Sequence, residues 1–430
     1  MPSLIVEKTE ALKGKVKAPP SKAYTHRALI AASLSGDESV VQHPLVCEDT
    51  VATVEACRML GASITLDEES AVVKGLTNPR TPEDVVDCGG SGSTIRFLTP
   101  VCALADGMSV LSGNGSLRRR PMEPLLEALR KLGVNCYSTR GNGCPPIVVF
   151  GGGIKGGKAT IVGDVSSQFI SGLLFALPKA RESTEINVTT ELESSSYVEM
   201  TVEVLSKHGV RVGASGDYRS FHIPNGQVYR RFNHLVPGDY SSAAFLLAAA
   251  AVTNSKVQVT GLPKDTCQGD KVILESLGAM GVKLLIGPDY VEVLGCDQPL
   301  KGLTVDVKQT PDLTPVYAVL GCYARGKTVV EGAGRLRFKE SDRLYTIASE
   351  LRKMGAKVLD FEDLLVVEGP VKLYGASLEA HNDHRVAMAC AVAALGAEGC
   401  TTIRGVESIS KSYPNFVKDM RSLGAMVSVR

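Results

Sequence analysis

Between a Gly-rich turn (Gly332, Gly334) and an amphipathic run from Leu344 to Met354 lies the stretch Arg335-Leu336-Arg337-Phe338-Lys339-Glu340-Ser341-Asp342-Arg343. It holds four cations and two carboxylates. Lys339 and Arg343 are four residues apart, so at a helix start they face the same way, with Glu340 between them in sequence. Such a set suits the capture of a multiply charged anion, with a carboxylate at hand whose proton affinity the anion raises. Read locally, it also suits a solvated helix start with ion pairs that contribute little. Further cations stand elsewhere: Lys22, Arg27, Arg96, the triplet Arg118-Arg119-Arg120, then Arg385 and Lys411. Arg96 and Arg385 each run into an apolar segment, where a guanidinium needs a partner. This supply matches two phosphates and one or two carboxylates. At an effective dielectric of about 20, one pair at about 4 Å gives on the order of 4 kcal/mol, so a few pairs outweigh desolvation. Asp312, in Thr310-Pro311-Asp312-Leu313-Thr314-Pro315, is on local grounds either a helix N-cap or a catalytic carboxylate.

The elements that position these residues repeat. A helix-like segment ending in an apolar or polar residue, Gly, then Ala or Val recurs with its glycine at 61, 133, 209, 281, 355 and 424. The intervals are 72, 76, 72, 74 and 69 residues. In step with it, polar residues open Ala-rich apolar runs at Ser21-Lys22, Ser91 to Thr94, Ser166 to Gln168, Asp239 to Ser242, Asp312 to Thr314 and Asn382 to Arg385. Each unit then supplies one helix that begins with polar side chains, one that ends in Gly, and strands between them, a β-α-β-α-β-β pattern. Six units imply an α/β (α+β) fold of two similar domains, each of three such units in an inside-out six-fold repeat. Pro19-Pro20 and Pro237-Gly238 mark the crossovers, giving one lobe over 20–236 and another over 1–19 plus 237–430. Helix N-termini carry partial positive charge and free N–H groups, so convergent starts at the hinge cleft would form an anion trap.

Composition narrows the partners. A formal net charge of +1 gives no global field toward nucleic acid or membrane. Trp is absent, which disfavours base stacking. No apolar run approaches a membrane span, and the first residues lack a signal segment. Eleven Cys without a Cys-x-x-Cys pair point to a reducing cytoplasm and against structural zinc. His381 and His384 have no third ligand nearby in sequence, so no metal site is expected. Gly152 to Lys158 nearly matches a phosphate loop, but Ala159 replaces the required Ser or Thr.

The motifs taken in order resemble the 5-enolpyruvylshikimate-3-phosphate synthase family of enolpyruvyl transferases. The carriers are Ser21-Lys22 with Arg27, Arg120-Pro121-Met122, Ser166-Ser167-Gln168, Pro311-Asp312, Arg337 to Arg343, Asp383 to Met388 and Lys411-Ser412-Tyr413-Pro414. The resemblance spans nearly the whole chain. It implies transfer of the enolpyruvyl group of phosphoenolpyruvate to the 5-hydroxyl of shikimate 3-phosphate, releasing phosphate, with no metal or organic cofactor. By position it implies Lys22, Arg120, Arg343, Arg385 and Lys411 on phosphoenolpyruvate, with Gly92 as a close-approach wall beside Ser93. Arg27, Ser166, Ser167, Gln168, Ser194, Tyr197, Asp312 and Lys339 would hold shikimate 3-phosphate. Asp312 would take the hydroxyl proton and Glu340 would protonate the methylene carbon, with Lys22 among the catalytic groups. A cytoplasmic monomer inhibited by glyphosate is expected.

The chain departs from the family pattern at Ala23, where Ser follows the Lys, and at Gly90-Ser91-Gly92-Ser93, where an Asn is usual. It carries Ser194-Ser195-Ser196-Tyr197 for Ser-Lys/Arg-Pro-Tyr, and Arg335 where Asn is frequent. Two rival readings are the sister transferase acting on UDP-N-acetylglucosamine and a non-catalytic sensor of phosphorylated metabolites. The sister family carries a reactive Cys in the loop matching Gly113 to Pro121, and this chain has none there.

Overall fold

The computed structural model describes residues 2–296 and 299–430. Among the described residues there are twelve α-helices: α1 (Lys22–Ser33), α2 (Glu48–Met59), α3 (Gly92–Cys102), α4 (Glu123–Lys131), α5 (Ser167–Ala176), α6 (Ser195–Lys207), α7 (Tyr240–Val252), α8 (Ile273–Ala279), α9 (Thr314–Tyr323), α10 (Arg343–Lys353), α11 (His384–Leu395) and α12 (Phe416–Ser422). They alternate in character. The odd-numbered helices are the mostly buried apolar runs, Ala-rich in α1, α7 and α11; α11 is buried along its whole length and α7 from Tyr240 to Ala251. The even-numbered helices bury one stripe, as α4 does with Leu125, Leu126, Ala128 and Leu129.

Each even-numbered helix ends the same way. Gly61, Gly133, Gly209, Gly281, Gly355 and Gly424 all have φ between 77° and 102°. In α2, the Gly61 N–H donates to the Arg58 carbonyl and the Ala62 N–H to that of Cys57. The pair recurs at Val134, Val210, Val282, Ala356 and Ala425, each donating five residues back. This is a Schellman closure, which needs a left-handed residue followed by an apolar one. The sequence landmark is therefore a stop signal written in backbone geometry.

Among the described residues the strands form six four-stranded sheets. Each contains one parallel pair followed by two antiparallel pairings, as in Lys13–Lys17 beside Lys256–Thr260, then Tyr290–Val293, then Leu284–Ile286. Burial alternates along them (Met108–Ser112 reads exposed, buried, half-buried, buried, half-buried), so one face of each sheet meets the helices.

The chain divides into two compact units: Met1–Pro19 with Pro237–Arg430, and Pro20–Val236. Strand pairing explains the discontinuity. Ser3–Glu7 lies antiparallel between Cys400–Arg404 and Val427–Val429, and Lys13–Lys17 joins Lys256–Thr260. His234–Leu235 closes the sheet of Glu38–Gln42. In the discontinuous unit α7, α9 and α11 pack on one another, and one apolar core runs from Leu4 to Ala425. Each fully buried Leu or Phe there contributes about 1.5–3 kcal/mol. In the continuous unit α3 packs on α5, and α1 on α2 and α6. Among the described residues no helix is long and apolar enough to cross a membrane, and no cluster of His, Cys, Asp or Glu could hold a metal ion.

The helix-ending geometry gives a paired test within α8 and its cap. Gly278 is helical, and an added Cβ meets nothing within 4 Å; at Gly281, with φ 96°, the nearest atom is Cys296 Sγ at 3.7 Å. Gly278→Ala should stabilise by about 0.5–1 kcal/mol. Gly281→Ala, three residues on, should destabilise by about 1–2 kcal/mol. Urea unfolding of both variants checks the opposite signs.

Candidate active site

In the discontinuous unit the site is built at the starts of α9, α10 and α11. A 3₁₀ turn, Pro311–Leu313, leads into α9. No side chain caps α9, so Asp312 is not the cap that the sequence allowed. Its carboxylate is used otherwise: Arg343 Nη1 donates to Oδ1 at 3.0 Å and Arg385 Nη2 pairs with Oδ2 at 3.0 Å. Asp383 caps α11 by accepting from the Arg385 N–H at 2.9 Å. Asp342 caps α10 by accepting from the Tyr345 N–H.

Arg343 sits at the centre, 1% exposed. Its Nε donates to Asp383 Oδ2 at 2.9 Å, and Nη2 to Glu340 Oε2 at 2.6 Å and Asp383 Oδ1 at 3.3 Å. Ser341 Oγ adds a 3.0 Å bond to Asp383 Oδ2. Burial opposes the Arg343 charge, but Asp383, Glu340 and Asp312 more than offset it and hold the guanidinium firmly protonated. Burial likewise pushes Asp312 up, yet Arg385, Lys339 and Arg343 together keep it well below the usual carboxylate range. Lys339 is pushed down to about 8 by burial, partly offset by Asp312. A second carboxylate, Asp270, is buried within the electrostatic reach of Asp312 and Arg385; burial, then Asp312, push it up to about 7.

One expectation fails here. Lys339 and Arg343 do not share a helical face. The stretch Gly334–Phe338 is a 3₁₀ helix, Lys339 is extended at its end, and α10 begins only at Arg343. Asp342, as cap, forces the break. Lys339 and Arg343 still meet electrostatically, through Asp312. Lys411, at the end of the turn Val406–Lys411, donates to the Asn382 carbonyl (3.0 Å) and Oδ1 (2.7 Å), next to Asp383.

In the continuous unit the corresponding helix starts carry a more neutral network. Ser21, Ser91 and Ser166 cap α1, α3 and α5. Lys22 Nζ pairs with Asp49 Oδ2 at 2.9 Å. Arg96 Nη1 donates to Gln168 Oε1 at 2.8 Å and to Ser166 Oγ at 3.3 Å, and the guanidinium lies 5.1 Å over the Phe169 ring. Gln168 Nε2 passes the chain on to Ser93 Oγ at 2.8 Å. Ser167 is buried as the first residue of α5. Gly92 stands in the middle: a Cβ there would lie 2.8 Å from Arg120 Nη1, 3.6 Å from Arg96 Nη1 and 3.7 Å from Gln168 Oε1. Arg27 is placed apart from this group. It is 2% exposed and donates to Thr201 Oγ1, the Ala23 and Tyr197 carbonyls and Ser171 Oγ, with the Phe97 ring 5.0 Å and the Tyr197 ring 5.7 Å away. Ser194, which precedes α6, is left-handed at φ 57°, a strained position for a residue with a side chain.

Two participants had no role in the sequence reading: Asp49 and Asp270. A third, Asp383, was read as a helix opening and as part of a family motif, and its second task on Arg343 lies forty residues away in sequence. Asp49 sits in an acidic first turn, which reads as a helix-dipole preference. Asp270 has no local signal.

The crowding at Gly92 yields a prediction. Gly92→Ala should displace the Arg120 guanidinium and weaken binding of a small phosphorylated or carboxylated ligand by about tenfold or more, with the melting temperature little changed. Calorimetric titration with phosphoenolpyruvate checks it, and wild-type affinity would count against this cradle.

Comparison with known proteins identifies the family. The profile of EPSP synthase (3-phosphoshikimate 1-carboxyvinyltransferase) matches residues 6–420. The chain is 44% identical over 430 residues to the 3-phosphoshikimate 1-carboxyvinyltransferase of Methanocaldococcus jannaschii, covering 99% of each. It is 45% identical over 418 residues to that of Methanococcoides burtonii, covering 96% of each. Its fold superposes on EPSP synthase from Acinetobacter baumannii with a TM-score of 0.84 at 28% identity, over 100% of this chain and 99% of that one. At 21% identity, the enolpyruvyl transferase NikO from Streptomyces tendae shares the fold, with a TM-score of 0.83 over 100% of this chain and 99% of that one. A profile match along almost the entire length, with full-length relatives at 44% and 45% identity, places this chain in the EPSP synthase family.

Proposed function

We propose that this protein transfers the enolpyruvyl group of phosphoenolpyruvate to the 5-hydroxyl of shikimate 3-phosphate, giving 5-enolpyruvylshikimate 3-phosphate and phosphate. The observation that carries the reading is the single charge cluster that links Asp312, Lys339, Glu340, Arg343 and Arg385 at three helix starts.

In this reaction the 5-oxygen adds to C2 of phosphoenolpyruvate while its proton leaves and a proton arrives at the methylene carbon. Asp312, kept ionised, accepts the hydroxyl proton; Glu340 delivers the proton to carbon. The tetrahedral intermediate then loses phosphate, and a methyl proton returns to Glu340. Glu340 now rests on Arg343. When the carboxylate or phosphate of phosphoenolpyruvate competes for that guanidinium, Glu340 loses its counter-ion and faces an anion. Both changes raise its proton affinity, as a general acid requires. Arg385, Arg343, Lys411, Lys22 and Arg120 supply positive charge to phosphoenolpyruvate, with the Gly92 backbone alongside. Lys339, Ser166, Ser167, Gln168, Ser194 and Tyr197 serve shikimate 3-phosphate. Arg27 acts there by fixing Tyr197 and α6, to judge from its contacts. The chemistry needs no metal or organic cofactor. Glyphosate, an anion of similar charge, is expected to compete for the phosphoenolpyruvate position. Eleven Cys without a Cys-x-x-Cys pair favour a reducing cytoplasm, and we expect a monomer.

Phosphate release on mixing the protein with both substrates tests the reaction. Release only with UDP-N-acetylglucosamine would assign it to the sister activity, and binding without release would leave a sensor. Glu340→Gln and Asp312→Asn should each slow turnover by about 10²-fold or more while both ligands still bind. A near-normal rate in either variant removes that residue from the mechanism.

The Lys339 ammonium gives a pH signature. Its proton is lost as pH rises through about 8 in the free enzyme, so kcat/KM for shikimate 3-phosphate should fall above that pH. Lys339→Arg, which stays charged, should flatten the alkaline fall; an unchanged profile would exclude Lys339 as its source.

A further inference from the structure

Glu350 takes no part in the chemistry above, yet it is a carboxylate with 0% exposure in the same unit. It lies seven residues beyond Arg343 on α10, two turns along the same face. A carboxylate buried there for packing alone would be costly. Its partners explain it. Oε1 accepts from His381 Nε2 at 2.7 Å and from Lys353 Nζ at 2.8 Å; Oε2 accepts from Lys353 Nζ at 2.7 Å and from the Glu379 N–H at 3.0 Å. An ionised carboxylate only accepts, so Nε2 of His381 carries the hydrogen.

The segment gripped in this way is unusual. After the strand Ser377–Glu379 the chain turns through His381 and Asn382, both left-handed, at φ 52° and 56°. Two successive side-chain-bearing residues in that region persist only where their surroundings hold them. The turn delivers Asp383 to Arg343, starts α11 with Arg385 against Asp312, and points the Asn382 carbonyl and Oδ1 at Lys411. α10 therefore clamps the turn on both sides. Arg343 holds it after residue 382, Glu350 before, and Thr346 between them bonds Ser341, which itself reaches Asp383.

We propose that Glu350 is a positioning residue: through His381 and the Glu379 amide it holds the left-handed turn that places Asp383, Arg385 and the Asn382–Lys411 pair, and so sets the geometry in which anions are gripped. The inference rests on the function proposed above, in which those groups take phosphoenolpyruvate.

The test uses the full chain with Glu350→Ala, Glu350→Gln, His381→Ala and, as a packing control on the same helix, Leu351→Ala. Leu351 is fully buried and touches none of the turn's polar groups by hydrogen bond. Two quantities are read: amide hydrogen exchange over residues 379–386, and KM and kcat for phosphoenolpyruvate. In Glu350→Ala, exchange there should quicken and KM should rise, each by about tenfold or more, with a smaller fall in kcat. Glu350→Gln should recover most of both. Its amide oxygen still takes the Glu379 N–H, and its NH₂ can donate to the other tautomer of His381. His381→Ala, at an exposed position, should move both in the same direction by less. Leu351→Ala should lower the melting temperature and move neither. Equal effects of Glu350→Ala and Leu351→Ala would reduce Glu350 to general stability and overturn the proposal. So would wild-type exchange and KM in His381→Ala, which decides the matter if Glu350→Ala does not fold. If the unmodified protein releases no phosphate, the assigned reaction fails, while the exchange comparison still decides whether Glu350 holds the turn.

Discussion

A guanidinium with three carboxylates and almost no water is the constraint around which this molecule is arranged. Arg343 alone joins Asp312 ahead of α9, Glu340 ahead of α10 and Asp383 at the cap of α11. Arg385 and Lys339 bring the signs into balance: three cations, Arg343, Arg385 and Lys339, against three anions, Asp312, Glu340 and Asp383. The balance is what makes the burial tolerable. Removing one partner of a buried pair leaves a charge that cannot be solvated, at a cost of about 3–5 kcal/mol. The same network that could bind a substrate therefore also fixes the relative positions of three helix starts. Binding must proceed by exchange of partners, because the donors of Arg343 are already engaged with the protein's own carboxylates.

The two units meet the demand for convergent polar groups differently. The discontinuous unit uses full charges. The continuous unit relays through amides and hydroxyls: Arg96 to Gln168 to Ser93, and separately His26 to Thr53 to Thr94 to Ser91. His26 belongs to that second chain and is pushed down to about 3 by burial, so it is a neutral link at any ordinary pH. The His26 relay holds the Ser91 cap in place without presenting a charge of its own, while the charges in this unit's network are Arg96, Arg120 and the Lys22–Asp49 pair.

Much of the fold was legible because its punctuation is stereochemical. Gly followed by Ala or Val at six helix ends is what a Schellman closure requires, and only glycine enters the left-handed region without strain. The six polar openings were legible for a similar reason, since five of them proved to be side-chain caps: Ser21, Ser91, Ser166, Asp239 and Asp383. The sixth, at Asp312, shows where local reading stops. The residue type fits a cap, but two arginines from α10 and α11 claim its oxygens, and nothing near it in sequence reports them. Helical spacing misled at Lys339 and Arg343 because a cap at Asp342 outweighs the tendency to continue a turn. Arg27 shows the same limit from another side: its bonds to Ser171 of α5 and to Tyr197 and Thr201 of α6 have no signal in the segment around it. Family resemblance supplied candidate residues, while their hydrogen-bond commitments came only from three dimensions.

The strand Ser3–Glu7 has a consequence for biosynthesis. Its partners are Cys400–Arg404 and Val427–Val429, so this segment waits during synthesis for partners about four hundred residues further along the chain. At roughly 5–20 residues per second that interval is on the order of 20–80 s. Pro20–Val236 is contiguous and can complete its three sheets while the remainder is still being translated. From the emergence of Val236 until Cys400–Arg404 is made, a nascent chain thus carries a finished unit preceded by an unpaired apolar strand, Leu-Ile-Val at its centre. That exposed edge is where a chaperone would be needed and where premature aggregation would begin.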